Sequence, residues 1–369
     1  MYKSNNKAER IEIGKALLRE KSNIYTSRIL DTINAKIEKM RPNATQDERE
    51  AILYHSIYDY WAYGNNIGEE FYLGFLDNDE NFKDEYITFR NRYLYTNHLN
   101  KKEDEYILQD KYEAYKRLKP YFNRDIIEIC SEDDFPLFKE FVSKHPTFVV
   151  KPTDLGLAIG VHKETITEDT DLHSLFLQIL DEGKINLQNN PWGKKSSIVI
   201  EELIVQSDIM ASFHPQSVNS VRVTTVRINN DIYIWYPWLK IGINGGFVTS
   251  AAFDTLDAGI DATTGIVNTD AFDENCNVFV NHPNTGVKFK GFQIPKWQEL
   301  INLIKEISNK LPSLGYVGWD MVLTDNGWVV MEGNVNGEFM GQLVHQKGMK
   351  KEFEKLIDWK PQNEFWWQK

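Results

Sequence analysis

The chain has 369 residues, enough for two or three domains with their own cores, and a globular composition: 41% hydrophobic, 26% charged and 13% aromatic. A net charge of −12 with no basic stripe argues against nucleic-acid binding, although a local Lys/Arg pocket for a small anion is compatible with an acidic protein. Cys130 and Cys276 are too few and too distant for a disulfide framework or a zinc site, and are expected to be ordinary thiols. The opening MYKSNNKAER has no apolar leader region, and no run approaches the length of a membrane span. A soluble, cytoplasmic protein without stable membrane insertion is expected.

Residues 8–120 read as helical almost throughout. AERIEIGKALLREK and DTINAKIEKM have helical periodicity, broken at Arg41-Pro42. In Glu48–Gly64, Tyr54, Ile57, Tyr58 and Trp61 recur every three or four residues and are expected to form a packing face. A third helical block spans Glu103–Phe122. From about residue 125 the pattern mixes: RDIIEIC is a strand, DDFPLFKEFVSKH a helix after an acidic cap, and TFVVKP a strand ending at proline. TDLGLAIGVHKE reads as loop then strand, DLHSLFLQILDEG as an amphipathic helix and SSIVIEELI as a buried strand. Strands SVRVTTVRI and DIYIWYPWLKIG follow. A helix in QIPKWQELINLIKEISNKLP then presents Trp297, Leu300, Ile304, Ile307 and Leu311 on one side, and a hairpin and the segment KKEFEKLIDW close the chain. The layout is an α+β chain: a mostly helical region over 1–105, then two parts over 106–205 and 206–369.

Several stretches carry residue types suited to anion chemistry. Lys151 ends an apolar strand before a loop with Gly156 and Gly160; backbone N–H groups can approach anionic oxygens there, and the lysine adds a point charge. A surface turn beside a lysine has the same pattern. Glu201 and Glu202 end a buried strand whose freed backbone can read a purine edge, or simply start a loop. Arg222 lies inside an apolar strand and needs an anionic partner, either a substrate phosphate or carboxylate or a protein acid. His214 and His282 each precede proline, lack zinc-site spacing and read as loop histidines.

The hairpin GWDMVLTDNGWVVMEGN (318–334) poses a sharper problem. A three-residue loop Asp325–Gly327 pairs Thr324 with Trp328 and sets Asp320 opposite Glu332, with Asn334 on the same face; a two-residue Asn-Gly loop breaks that pairing. Two carboxylates about 4 Å apart repel by roughly 4 kcal/mol at an effective dielectric near 20. A divalent cation reverses the sign, so Asp320, Glu332 and Asn334 are candidate Mg²⁺ ligands; a solvated polar face is the other reading.

The order of these signals resembles the ATP-grasp superfamily. YDYWAYG, DKYEAYKRLKPYF, FVVKPTDLGLAIGV, HPQSVNSVRVTT, HPNTGVKFKGFQIPKW and GWDMVLTDNGWVVMEGN narrow the resemblance to the sugar-transfer-associated ATP-grasp family, over about residues 45–345. The resemblance implies two α+β subdomains clasping ATP. Lys111 and Lys151 are then ATP contacts, with Gly156 and Gly160 in a loop over the phosphates. Glu201, Glu202 and Leu203 form the adenine hinge, and Asp208 is the ribose acid. Asp320, Glu332 and Asn334 hold Mg²⁺, while Arg222 and Lys240 act at the transferring phosphoryl group. The loop DLGLAIG is leaner in glycine than in many relatives, and many carry arginine near Lys240. The implied activity is a carboxylate–amine ligase acting through an acyl phosphate on small molecules, such as an amino acid with a sugar acid. A kinase and a degenerate ATP-binding scaffold are the alternatives.

Overall fold

A computed structural model describes residues 3–190, 192–246, 255–337 and 339–362. The chain divides into two compact units, one of residues 1–99, 272–278 and 338–369, the other of residues 100–271 and 279–337.

The first unit is helical. Its helices Lys7–Glu20, Ser27–Met40 and Gln46–Tyr63 match the periodic segments of the sequence, and a Thr45/Glu48 capping box starts the third. Ile57, Tyr58 and Trp61 of the aromatic stripe are buried, so the stripe is a packing face. Residues 339–362 join this unit rather than the segment before them. Gln342 accepts from the Ile87 N–H and donates to the Ile87 carbonyl, while Phe353 packs edge-on against Tyr95. The continuous segment 206–369 expected from the sequence is therefore shared between the two units.

The second unit contains two sheets. Strands β1 (Ile126–Ile129), β2 (Thr147–Pro152), β3 (His162–Thr165) and β4 (Ile198–Glu202) form the smaller, in the order β1-β4-β2-β3. Helices Phe135–Lys144 and Leu172–Asn189 cover it with Phe138, Phe141, Phe176 and Ile179. The second of these runs six residues past Gly183, where the sequence pattern weakens. A Cβ at Gly183 would lie 2.1 Å from the Ser196 carbonyl oxygen, so the glycine serves close packing and does not end the helix.

The larger sheet has β5 (Ser220–Ile228), β6 (Asp231–Gly242), β7 (Thr255–Ile260), β8 (Val267–Phe272), β9 (Val278–Phe279), β10 (Tyr316–Thr324) and β11 (Gly327–Asn334) in the order β11-β10-β5-β6-β7-β8-β9. Its core face carries Val221, Val223, Leu239, Ile241, Trp319 and Met321. The helix Trp297–Lys310 adds Leu300, Ile304 and Ile307 to the same core, as its periodicity predicts. Glu103–Phe122 is not one helix: Asp110 is extended and caps a separate helix, Lys111–Phe122, which puts Lys111 in its first turn.

Candidate active site

The polar face of the larger sheet follows from strand alternation. With Val221 and Val223 in the core, Arg222 must face the other way, and so must its cross-strand partners Asp320 on β10 and Trp238 on β6. Arg222 meets Asp320 with two hydrogen bonds, Nε to Oδ1 at 2.6 Å and Nη2 to Oδ2 at 2.7 Å. Lys240, two residues past Trp238, brings its Nζ within 3.8 Å of Asp320 Oδ1. Gly318 makes room for the guanidinium, because a Cβ there would stand 3.2 Å from Arg222 Nη1. Burial opposes ionisation of Asp320, but Arg222 and Lys240 outweigh it and hold its pKa below the usual carboxylate range. Burial likewise penalises the Arg222 charge, and Asp320 more than compensates.

Asp320 does sit opposite Glu332, but by another route than a three-residue loop. The turn is the two-residue Asp325-Asn326, with Thr324 paired to Gly327 and Met321 to Val330. An extra residue, Met331, then bulges before Asp320 pairs with Glu332 and Gly318 with Asn334. The bulge reverses the parity of the strand. Trp328 and Val330 point into the core, and continued alternation would put Glu332 there as well; past the bulge, Glu332 and Asn334 lie on the polar face instead.

These residues suit a divalent cation. The half-buried Glu332 carboxylate has no hydrogen-bond or ion-pair partner among the described residues. Asn334 donates Nδ2 weakly toward Gly318 O and Asp320 Oδ2, at 3.5 and 3.4 Å, which leaves its Oδ1 as an acceptor. Asp320 already serves Arg222 with both oxygens and has only its remaining lone pairs to share. Glu332 is thus the strongest of the three donors.

Two lysines come from the smaller sheet and the helix before it: Lys151 from β2 and Lys111 from the first turn of Lys111–Phe122. Lys151 Nζ is 2.9 Å from Glu201 Oε2, and Arg124 reaches the same oxygen from Nε at 3.2 Å and Nη2 at 3.0 Å. Burial works against the Glu201 charge, yet Lys151 and Arg124 hold its pKa down at about 2. Lys111 Nζ donates to the Pro152 carbonyl at 3.1 Å and to that of Leu155. Its pKa is lowered, first by burial; Glu332 opposes that shift and Lys151 adds to it. Lys111 therefore feels both the β2 lysine and the β11 carboxylate. Lys111, Lys151, Arg124, Arg222 and Lys240 interact with Glu201, Asp320, Glu332 and Asp154, which leaves a small surplus of positive charge suited to an anion.

Other candidates are placed differently. The Glu202 carboxylate accepts from the Asp125 N–H at 2.9 Å and lies near His145, away from Lys151. Leu203 follows the end of β4, and its N–H and C=O enter no backbone hydrogen bond among the described residues. Asp208 is exposed at the start of the short helix Asp208–Ala211. Gly156 and Gly160 flank a turn in which Leu157 and Ala158 both have positive φ, 58° and 56°. His214 and His282 lie in loops, as expected, and both are buried. His214 Nε2 accepts from the Gly245 N–H at 3.1 Å, and His282 Nε2 donates to the Gly242 carbonyl at 2.9 Å.

Two features are absent from the sequence reading. Arg124 stands before an apolar strand like many surface arginines, and nothing local marks its partners. In the helical unit, His55 and Asp59 on the aromatic helix and Glu70 on the following helix Ile67–Tyr72 are fully buried, and the i, i+4 spacing of His55 and Asp59 was a visible signal. That cluster is closed by its own partners: Lys83 holds both oxygens of Asp59 at 2.9 and 2.7 Å, and Glu70 pairs with His55 and Asn65 at 2.8 Å each. Burial pushes the His55 pKa down to about 4 despite Asp59.

A four-stranded sheet that carries Lys151 and a seven-stranded sheet that carries Arg222, Lys240, Asp320, Glu332 and Asn334 form an ATP-grasp fold with a helical N-terminal region. Residues 90–357 match the model of the sugar-transfer associated ATP-grasp family, and the chain belongs to that family. A search of curated proteins gives no match. Among solved structures, D-alanyl-alanine synthetase A from Vibrio cholerae is similar at 16% identity, with 65% of this chain and 64% of that one covered and a TM-score of 0.37. D-alanine–D-alanine ligase from Helicobacter pylori gives 15%, 72%, 62% and 0.41, and L-amino acid ligase from Bacillus licheniformis 13%, 66%, 46% and 0.39. The chain spans less than two thirds of the length of these structures. Membership rests on the family match. No helix among the described residues is long and apolar enough to cross a membrane.

Proposed function

We propose that this protein is an ATP- and Mg²⁺-dependent ligase that joins a small-molecule carboxylate to an amine. The observation that carries this reading is the unpartnered Glu332 carboxylate opposite Asp320, in the field of Lys111 and Arg222. A stable fold has no reason to keep an unpaired acid there, whereas a cation bound with a polyphosphate uses it directly. In this reading Lys111 and Lys151 neutralise phosphate oxygens, the free backbone of Leu203 meets the adenine edge, and Asp208 accepts from ribose hydroxyls. Glu332, Asn334 and Asp320 hold Mg²⁺, which supplies charge neutralisation at the phosphates. Arg222 and Lys240 steady the group in transfer.

The substrate carboxylate oxygen bonds to the γ-phosphorus, and the bond to the bridging oxygen breaks with its electron pair leaving on ADP. The amine nitrogen then bonds to the acyl carbon as phosphate departs, and a proton is lost from nitrogen. Positioning and charge neutralisation suffice, and no protein nucleophile is needed. Family membership supports a sugar-conjugate or surface-polysaccharide substrate, such as an amino acid joined to a sugar acid. Incubation with Mg-ATP, hydroxylamine and a panel of amino acids and sugar acids tests the reading. ADP with an acyl hydroxamate is the expected product. ADP with a stable phosphorylated product and no hydroxamate would make the protein a kinase.

A further inference from the structure

We infer that Arg124 is a positioning residue that couples the lysine side of the site to its metal-binding side; this rests on the Mg-ATP reading above. Besides a local bond from Nη1 to the Phe122 carbonyl at 3.2 Å, the guanidinium makes two sets of contacts. Nε and Nη2 hold Glu201 Oε2, the atom that also anchors Lys151 at 2.9 Å. Nη1 donates to the Val330 carbonyl at 2.7 Å and Nη2 toward the Met331 carbonyl at 3.4 Å. Those two carbonyls belong to the β11 bulge, where the ladder with β10 is interrupted and backbone acceptors lose regular partners.

The bulge is what places Glu332 on the polar face. Were it to relax into regular register, Asp320 would face Met331, and Glu332 would turn toward the side occupied by Val330 and Trp328. Arg124 thus fixes the carboxylate on one sheet through backbone oxygens while sharing, on the other, the acid that orients Lys151. A lysine at this position can neutralise Glu201, but it has a single nitrogen and no planar fork to reach both carbonyls as well. Arg124→Lys therefore separates the two tasks, keeping the charge and uncapping the bulge. A plain structural cross-link between sheets predicts no such selectivity.

The test is calorimetric binding of ATP, with Mg²⁺ and with EDTA, to wild type, Arg124→Lys, Glu332→Gln and the double variant, with near-ultraviolet circular dichroism to confirm folding. Backbone amide exchange across 329–333 is followed in the nucleotide-free proteins. Arg124→Lys should weaken Mg-ATP binding about tenfold, the effect of losing a charge-assisted hydrogen bond, and leave Mg-free ATP binding within about threefold. In the Glu332→Gln background it should have no further effect on Mg-ATP, because it acts through Glu332. Exchange at the bulge should quicken. Equal weakening with and without Mg²⁺, an additive effect in the double variant, or unchanged exchange would each overturn the inference. If wild type binds Mg-ATP in a Glu332-dependent way and Arg124→Lys behaves as wild type, only this inference fails. If wild type binds no Mg-ATP, the functional reading fails and the inference goes with it.

Discussion

Arg222 and Asp320 stand directly opposite each other on β5 and β10 and are joined by two hydrogen bonds of 2.6 and 2.7 Å, both side chains nearly out of solvent. Removing one member of such a pair strands a buried charge and typically costs 3–5 kcal/mol, whereas replacing both with apolar groups is close to neutral. Asp320→Leu should therefore lose about 3–5 kcal/mol in urea unfolding followed by tryptophan fluorescence, and Arg222→Met/Asp320→Leu should recover most of it. Recovery of stability without recovery of ATP turnover would show that the pair is kept for chemistry. A double variant as unstable as Asp320→Leu would contradict the ion-pair account.

Glu332 has the opposite character. It has no partner to lose, and it sits half-buried beside other charges. Glu332→Gln should leave urea stability within about 1 kcal/mol, as substitutions away from packed or paired groups usually do. In the same protein the Mg²⁺ concentration needed for half-maximal ATP binding should rise at least about tenfold, the scale of one lost charged contact. An unchanged Mg²⁺ requirement would remove Glu332 from the metal site.

The hairpin shows what the sequence could reveal of this site and where it stopped. The sequence pairs Asp320 with Glu332 only on the assumption of a three-residue loop; the turn has two residues, and the pairing holds because a bulge restores the register. A bulge leaves no compositional mark at Met331, and the side chain that bonds its carbonyls, Arg124, is more than 200 residues away in the chain. Glu201 illustrates the same limit. Its strand was legible, but its carboxylate is taken up by Lys151 and Arg124, 50 and 77 residues earlier. Periodicity also found the aromatic stripe of Glu48–Gly64 as a packing face, while the ion network that joins its His55 and Asp59 to Glu70 and Lys83 depends on tertiary partners. Local structure was readable, and the pairing of charges was not.

The two loop glycines should part ways on substitution. Gly160 has φ +67°, and a Cβ there would meet Asn186 Nδ2 at 2.6 Å and Pro152 Cγ at 2.9 Å. Gly160→Ala should therefore cost about 1–2 kcal/mol from the left-handed conformation alone. Gly156 has no neighbour within 4 Å of an added Cβ, so Gly156→Ala should leave the thermal midpoint nearly unchanged. If the loop lies over phosphates, the methyl at Gly156 should nonetheless weaken ATP binding. Parallel loss of stability in both variants would mean that the loop is merely structural.

The last prediction concerns His214 and His282, whose rings are 5.9 Å apart in a buried corner of the second unit. Burial lowers the pKa of both. The neighbouring His282 charge adds to the shift of His214, and the hydrogen bond to Gly242 partly opposes that of His282. The other polar groups against them are Ser217, Asn284, Thr285 and the Gly245 amide, none of which can neutralise an imidazolium. Protonating His214 would also turn its Nε2 from an acceptor into a donor facing the Gly245 N–H. Because the folded pKa values lie below the unfolded value near 6.5, the unfolded chain takes up protons first. The stability these groups contribute is present above about pH 6.5 and is lost as pH falls toward their folded values. The thermal midpoint of wild type should therefore drop between pH 7.5 and 5.5, and more steeply than that of His214→Gln/His282→Gln. Equal slopes would show that these two imidazoles do not carry the acid sensitivity, and that the Gly242–Gly245 segment is held by something other than their neutral forms.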